Sequence, residues 1–165
     1  MSYDFILLPQ RDGMDTVAAI LSEMEQSTNR AHEQPITDAE YGDRLRLAQR
    51  LLAKWPTLTL NADVSRRHCV ELNTPPDGSG VQISLYPDQA AVSLPYRHER
   101  AAAEAAVAEC WGYLRFLTDE GNYVIFDQQL DRMLDLERDL PDVLASYTPV
   151  VAQVESLRKP WWKFW

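Results

Sequence analysis

The densest group of residues able to do chemistry is a run of carboxylates between residues 120 and 142. This stretch holds seven acidic residues and two arginines, so it supplies more than half of the chain's net charge of −9. Asp127, Asp131 and Asp135 recur at every fourth position, which on a helix would place them on one face. Closely held carboxylates raise one another's pKa or share a cation, as acid–base and metal sites require. The stretch is therefore a solvated edge, a docking face for a basic protein, or a catalytic or metal site.

The second concentrated feature is an aromatic C-terminus, Pro-Trp-Trp-Lys-Phe-Trp at residues 160–165. Tryptophan buries a large apolar area and is enriched in binding hot spots. We expect this tail to dock on the body of the protein, because an exposed patch of that size favours aggregation. A partner or dimer interface and a peripheral membrane contact are the alternatives. From both features together, the residues predicted to contact a partner are Asp127, Asp131, Asp135, Glu137, Asp139, Trp161, Trp162 and Trp165.

Other reactive side chains are scattered along the chain. The three histidines and Cys69 lack the close, repeating spacing of metal ligands. Cys110 falls on the apolar stripe of a predicted helix, where a free cysteine acts as a small hydrophobe. We therefore expect no catalytic residue, no metal and no cofactor. If the protein were an enzyme, its site would combine pocket carboxylates with His68 or His98.

The strands that must position these residues follow from apolar periodicity. A short apolar run at 3–8, stopped by Pro9, predicts a buried strand. Three runs typical of strands lie at 69–72, 81–86 and 91–96, and the last two alternate apolar with polar residues. They predict an antiparallel meander with one buried face. A further strand is predicted at 123–126. The segment after it fits either a turn at 128–131 that leads into a short strand at 133–136, or a helix over 128–138.

The clearest predicted helix begins at a capping box. In Thr37-Asp38-Ala39-Glu40, the threonine oxygen accepts from the third helical N–H while Glu40 reaches back. Pro56 ends this helix. An earlier helix is predicted to begin near residues 12–14. A third runs over about 99–117, with Gly121 as its left-handed C-cap.

The C-terminal part is also predicted to be helical. Pro141 suits a first helical turn. Pro149 would break a continuous helix, but with Thr148 as N-cap it opens a new one. The order of elements predicts an α+β fold, a two-layer sandwich in which helices pack on a mainly antiparallel sheet of about five to six strands. At 165 residues, the chain is expected to form one domain, 1–165.

Composition narrows the classes of function. A hydrophobic content of 45% with 25% charged residues is ordinary for a globular protein. The acidic balance argues against nonspecific nucleic-acid binding, which needs a basic footprint, and suits a basic protein partner. The two cysteines form no disulfide framework. Because no signal peptide or membrane span is visible, we expect a cytoplasmic protein without membrane contact.

Three segments resemble a set of small, uncharacterised bacterial proteins. These proteins begin with a Met-Ser-Tyr-Asp-type strand, carry a hairpin strand that ends in Pro-Tyr, and later have a strand end of the type Tyr-x-x-x-Asp-Pro-Gln. The matching segments here are 1–5, 92–96 and 123–129, with Gln128 where proline is usual. Such chains are similar to immunity proteins of bacterial polymorphic toxin and secretion systems. The resemblance implies no catalytic residues, because an immunity protein acts by occluding its toxin.

The leading hypothesis is therefore an immunity-type protein that neutralises a cognate bacterial toxin by occluding its active site. A nuclease-like toxin with a basic cleft would suit the acidic stretch, because carboxylates there can imitate nucleic-acid phosphates. Two alternatives stay open. One is a small enzyme with a carboxylate and histidine site, and the other is an interaction adaptor that forms a homodimer.

Overall fold

Seven strands form one antiparallel sheet in the part of the chain that the structure describes. The structure is a computed structural model, and it describes residues 1–11, 17–33, 36–61, 68–98 and 100–158. The strands are β1 (Ser2–Pro9), β2 (Thr59–Asn61), β3 (Val70–Asn73), β4 (Gln82–Leu85), β5 (Ala90–Pro95), β6 (Tyr123–Asp127) and β7 (Arg132–Met133). Their spatial order is β2-β3-β4-β5-β1-β6-β7, and each neighbouring pair is antiparallel. The N-terminal strand therefore lies inside the sheet, between β5 and β6.

The described helices cover the two faces of this sheet unequally. They are α1 (Val17–Glu33), α2 (Asp38–Lys54), α3 (Arg100–Gly121) and α4 (Leu140–Arg158). Helices α2, α3 and α4 contribute to the main core on one face. Helix α1 lies against the other face, where Ile20 packs with Leu8 and Phe126. These two strand residues alternate with Leu7 and Ile125, which belong to the main core.

The alternation of side chains along each strand determines which strand residues belong to the main core. Tyr3, Phe5 and Leu7 are buried, and Phe5 pairs with Val92 while Leu7 pairs with Ala90. Successive side chains of a strand point to opposite faces, so one set in each strand meets the helices. The strands predicted at 3–8, 69–72, 81–86, 91–96 and 123–126 are confirmed as β1, β3, β4, β5 and β6.

Helix α2 begins as its capping box predicts. The backbone N–H of Glu40 donates to Thr37 Oγ1 at 3.3 Å, and the backbone N–H of Thr37 donates to Glu40 Oε2 at 2.9 Å. These bonds satisfy donors that have no partner within the helix. At the other end, the N–H of Trp55 donates to the Leu51 carbonyl at 2.8 Å. For α1, the predicted start near 12–14 lies outside the described residues.

The left-handed residue that ends α3 lies one position later than predicted. Gly121 is the last helical residue, and Asn122 takes the left-handed conformation with a φ of 53°. The prediction that Gly121 itself is the left-handed C-cap is therefore wrong by one position. Asparagine adopts this conformation more readily than most residues. Glycine is needed at 121 for another reason, because a Cβ there would lie 2.5 Å from the ring of Tyr123.

Helix α4 continues through Pro149, so the prediction that this proline opens a new helix is wrong. Thr148 is not an N-cap, because its Oγ1 donates to the Leu144 carbonyl one turn back, at 2.7 Å. Tyr147 and Val151, on either side of the proline, are buried in the main core. Packing of this face holds the helix together where proline has no N–H to donate.

The segment after β6 is a tight hairpin rather than a helix. Strand β6 pairs with β7, with Asp127 opposite Arg132. Asp131 lies in the turn between them with a φ of 51°. Of the two interpretations of 128–138, the turn that leads into a short strand is therefore confirmed, although this strand lies at Arg132–Met133 rather than at 133–136. Asp127, Asp131 and Asp135 do not stack on one face of a helix.

The predicted α+β fold, a mainly antiparallel sheet packed by helices, is confirmed. The described sheet has seven strands rather than five or six. The strand without a sequence prediction is β2 at one edge, which has three residues. So short a segment carries too little periodicity to be recognised from sequence. Pro141 lies in the first turn of α4, as predicted.

Candidate functional site

Asp127 lies inside the protein at the end of β6, where it is 0% exposed. Its Oδ2 accepts from the Tyr3 hydroxyl at 2.8 Å, and its Oδ1 accepts from the backbone N–H groups of Gln129 (2.9 Å) and Leu130 (3.0 Å). Burial raises the pKa of Asp127 above 3.8, although these hydrogen bonds and Arg132 oppose the rise. The expectation that Asp127 contacts a partner is therefore corrected: this carboxylate holds the β6–β7 turn from inside.

The other predicted carboxylates lie in residues 131–142, which we name the acidic loop. Asp135 Oδ1 accepts from the backbone N–H of Glu137 at 2.9 Å, and its Oδ2 accepts from Arg138 Nε at 2.6 Å. These two bonds hold the pKa of Asp135 below 3.8. Asp139 Oδ2 in turn accepts from the backbone N–H of Asp135 at 2.7 Å. Short-range bonds therefore give the acidic loop a defined shape.

Arginines offset much of the charge in this region. The ion pairs are Arg50–Glu120, Arg115–Glu137, Arg132–Asp139, Arg132–Asp142 and Arg138–Asp135. Two of these arginines come from α2 and α3. Counting only the charges within residues 120–142 therefore overestimates the negative electrostatic potential of this region. The side chain of Glu137 is still 73% exposed and that of Asp142 is 59% exposed. Asp131 is also exposed, so a partner can reach these three carboxylates.

An apolar cleft of about 370 Å³ opens beside the acidic loop, and we name it the loop cleft. It lies between α3, β6 and β7, and Val124, Met133, Leu134 and Leu136 form apolar parts of its wall. Asp135 also lines it, so one predicted contact residue is brought next to apolar surface. Sequence reasoning missed this cleft. The alternation of leucine with acidic residues from 134 to 137 is the signal that could have revealed it.

Side chains of α3 hold the acidic loop against the helix. Trp111 Nε1 donates to the Leu136 carbonyl at 3.1 Å, and Arg115 Nη2 donates to the same carbonyl at 3.4 Å. Leu134 and Leu136 pack against the main core. The acidic loop is therefore anchored, and it presents its exposed carboxylates from a fixed backbone.

The predicted tryptophan contacts lie outside the described residues. This applies to Trp161, Trp162 and Trp165 and to the whole tail, 160–165. Docking of the tail on the body and its use in an interface both stay predictions. The helix that leads to it is anchored, because Val143, Tyr147 and Val151 of α4 are buried in the main core.

Of the two histidines considered for an enzyme site, His68 is exposed and His98 is partly buried. His98 lines a second cleft, of about 230 Å³, between the β3–β4 turn and α3. We name it the His98 cleft. Asp77 and Glu109 also line it, so the enzyme alternative would apply here. Within the described ranges, no group of three or more His, Cys, Asp or Glu residues is arranged to hold a metal ion.

A polar network that sequence reasoning missed covers the second face of the sheet at β3 and β4. Glu71 accepts from Gln82 Nε2 at 2.8 Å, from Asn73 Nδ2 at 2.9 Å and from Asn61 Nδ2 at 3.3 Å. Nearby, burial and then the Glu71 charge raise the thiol pKa of Cys69. That thiol is therefore a poor nucleophile. The side-chain amides already donate hydrogen bonds to the Glu71 carboxylate. We therefore assign the network to stabilising the sheet rather than to binding a ligand.

The fold and the site define an α+β protein with helices packed on an antiparallel sheet and an anchored acidic loop beside an apolar cleft. No helix in the described ranges is long and apolar enough to cross a membrane. Comparison of the chain with family models, with curated proteins and with solved structures finds no match. The resemblance to immunity proteins therefore rests on the three segments quoted above and stays a prediction.

Proposed function

We propose that this chain is an immunity-type protein that acts in the bacterial cytoplasm, binds a cognate toxin and blocks its active site. The net charge of −9 supports this proposal, because it favours association with a basic surface. The three segments that resemble immunity proteins support it independently of charge.

The observation that carries the proposal is the position of the acidic loop beside the loop cleft. Protein interfaces combine an apolar, desolvated centre with a polar rim. Leu134 and Leu136 supply apolar wall, and Asp135 lies between them. Asp131 and Glu137 add exposed carboxylates on either side along the chain. A toxin segment with an apolar anchor next to basic residues would fit both parts.

Binding would proceed from long-range attraction to local exchange of ion pairs. The acidic surface steers a basic partner toward it and raises the association rate. At contact, basic groups of the toxin would compete with Arg115 and Arg138 for their carboxylates. Exposed ion pairs of this kind contribute little to stability, so their exchange is easy. The loop would then occupy the basic cleft and exclude substrate.

The experiment pairs the full chain with the product of the neighbouring upstream gene, as the candidate toxin. We expect coexpression of the chain to restore growth of cells that produce the candidate, and the purified proteins to form a complex. Replacing Asp131→Asn together with Glu137→Gln is expected to weaken binding about tenfold, mainly through slower association. Added salt is expected to weaken wild-type binding, because it screens exposed charges.

The matched control removes the same charge elsewhere. Asp43→Asn with Glu104→Gln alters exposed positions on α2 and α3. It is expected to leave Kd within about twofold of wild type. Equal losses in both double variants would assign the effect to net charge rather than to the acidic loop. If the complex forms and neither variant weakens it, the loop is not in the interface. A candidate that the chain neither binds nor neutralises would contradict the proposed function.

A further inference from the structure

Helix α4 has an outer face that carries no charge. Its inner face is packed, because Tyr147 and Val151 are buried in the main core. The twelve residues from 143 to 154 include no acidic or basic side chain, although Ala145 and Pro149 are exposed. A surface helix typically carries charged and polar residues on the side that faces water. An exposed and uncharged face therefore indicates a contact surface.

An apolar groove of about 420 Å³ follows this outer face, and we name it the α4 groove. In the part of the chain that the structure describes, its lining residues are Leu144, Ala145, Thr148, Pro149 and Ala152. The Thr148 hydroxyl is engaged within the helix, because it donates to the Leu144 carbonyl at 2.7 Å. The two alanines have small side chains, which leave room for an aromatic ring above the helix.

The proline inside α4 gives the α4 groove a backbone acceptor. In a regular helix the carbonyl of Ala145 would accept from the N–H of residue 149. Residue 149 is a proline and has no N–H, although the helix continues through it. Ala145 and Pro149 both line the α4 groove, so this carbonyl can accept from a donor outside the helix. A buried carbonyl needs a hydrogen-bond partner, so a segment that covers the groove should bring a donor as well as apolar surface.

The chain that follows α4 has both properties. After Arg158, the last residue of the helix, come residues 159–165, Lys-Pro-Trp-Trp-Lys-Phe-Trp, which lie outside the described residues. Each indole combines a large apolar ring with one N–H donor. If the chain reverses at Lys159-Pro160, the remaining residues, 161–165, span about 17 Å when extended. That length equals about eleven residues of helix, so the tail reaches back to about residue 147.

We propose that the C-terminal tail folds back along α4 and covers the α4 groove of its own chain, with the indole N–H of Trp165 donating to the Ala145 carbonyl. The carbonyl of a helical residue points toward the C-terminal end of the helix, so it lies near the level that Trp165 reaches. The aromatic rings of the tail pack on the apolar lining and leave water. A tail tethered beside its groove has an effective concentration in the millimolar range, which favours it over the tail of a second copy.

NMR of the isotope-labelled full chain tests the proposal directly. We expect nuclear Overhauser effects between the methyl protons of Ala145 and Ala152 and the ring protons of the tail. The indole N–H of Trp165 is expected to exchange slowly with solvent, because it is hydrogen-bonded. A mixture of labelled and unlabelled chains shows whether the tail and the helix belong to one molecule.

A charge placed in the α4 groove provides the first variant. Ala152→Glu is expected to abolish the contacts between the tail and α4, because the rings would have to cover a carboxylate. Ala108→Glu makes the same substitution at an exposed position of α3 and is expected to keep these contacts.

Two further variants test the hydrogen bond to the Ala145 carbonyl. Trp165→Phe keeps a ring but removes the donor, and Pro149→Ala supplies the helical N–H that competes for the acceptor. Both are expected to weaken the contacts between the tail and α4. Pro149→Ala is also expected to raise the midpoint of urea unfolding, because proline disfavours a helix interior. Weaker contacts in that variant therefore cannot be the result of unfolding.

A folded wild-type chain without contacts between its tail and α4 would overturn the proposal. So would contacts found only between labelled and unlabelled chains, which would assign the α4 groove to a second copy. Tail signals that respond to anionic lipid vesicles but not to Ala152→Glu would assign the tail to a membrane surface instead. These outcomes leave the proposed toxin binding untouched, because no toxin is used in the measurements.

Discussion

The buried carboxylate of Asp127 joins parts of the chain that lie far apart in sequence. Tyr3 of β1 donates to it from 124 residues away, and the backbone N–H groups of Gln129 and Leu130 donate from the adjacent turn. Asp127→Ala would leave these donors buried without an acceptor. We expect it to lower the free energy of unfolding by about 3 kcal/mol, measured by urea unfolding.

Two milder variants provide the comparison for Asp127→Ala. Asp127→Asn keeps an oxygen for the two backbone donors, and Tyr3→Phe removes one donor together with its need for an acceptor. Each is expected to lower the free energy of unfolding by about 1 kcal/mol. An alanine variant as stable as these two would show that the bonds to Asp127 do not support the turn.

The acidic character of 120–142 is evident from sequence, but the roles of its single residues are not. Asp127 is buried because β6 pairs with β1 and places it opposite Phe5. The two strands lie far apart in the sequence, so no local sequence pattern indicates that they pair. Likewise, Arg50 and Arg115 reach the region only through the packing of α2 and α3. Local composition therefore predicts a charged segment but not which of its carboxylates a partner can reach.

The junction between α3 and β6 depends on a glycine at its last helical position. A methyl group at Gly121 would meet the ring of Tyr123 at 2.5 Å. Because Tyr123 is buried, its ring has little room to move aside. Gly121→Ala is therefore expected to lower the free energy of unfolding by about 2 kcal/mol, measured by urea unfolding.

A second glycine of α3 is the matched control for that junction. At Gly112 the nearest atom to an added Cβ is Trp55 Cζ2, at an ordinary contact distance of 3.5 Å. Alanine favours the helix over glycine, so Gly112→Ala is expected to raise the free energy of unfolding by up to about 1 kcal/mol. Changes of the same sign in both variants would rule out the contact with Tyr123 as the controlling factor.

Helices and strands that carry a local sequence signal could be predicted. Features that depend on packing against distant parts of the chain could not. The capping box of Thr37 and Glu40 places the start of α2 correctly, because both partners lie within one turn. The continuation of α4 through Pro149 depends on the burial of Tyr147 and Val151 in the main core. The edge strand β2 depends on pairing with β3, so its sequence alone does not reveal it, and the bounds of β7 depend on its pairing with β6.

Helix α3 links the two clefts while keeping them apart. The loop cleft reaches α3 at Thr118, and the His98 cleft reaches it as far as Glu109. At a rise of about 1.5 Å per residue, these positions lie about 14 Å apart along the helix. The two clefts are therefore separate features of one scaffold, and variants at one should leave the other intact.

The sheet is apolar on both faces at β1 and β6, where α1 covers the second face, but amphipathic at β5, and neighbouring residues of β5 test this directly. Val92 faces the main core and is 0% exposed, whereas Ser93 points to the second face and is partly buried. Val92→Ala removes two buried methyl groups, so it is expected to lower the free energy of unfolding by about 2 kcal/mol. Ser93→Ala is expected to change it by less than about 0.5 kcal/mol. Urea unfolding measures both changes. If the slope of the free energy of unfolding against urea concentration is the same as in wild type, the unfolded states are comparable. Equal losses at the two positions would mean that the second face is packed at β5 as tightly as the first.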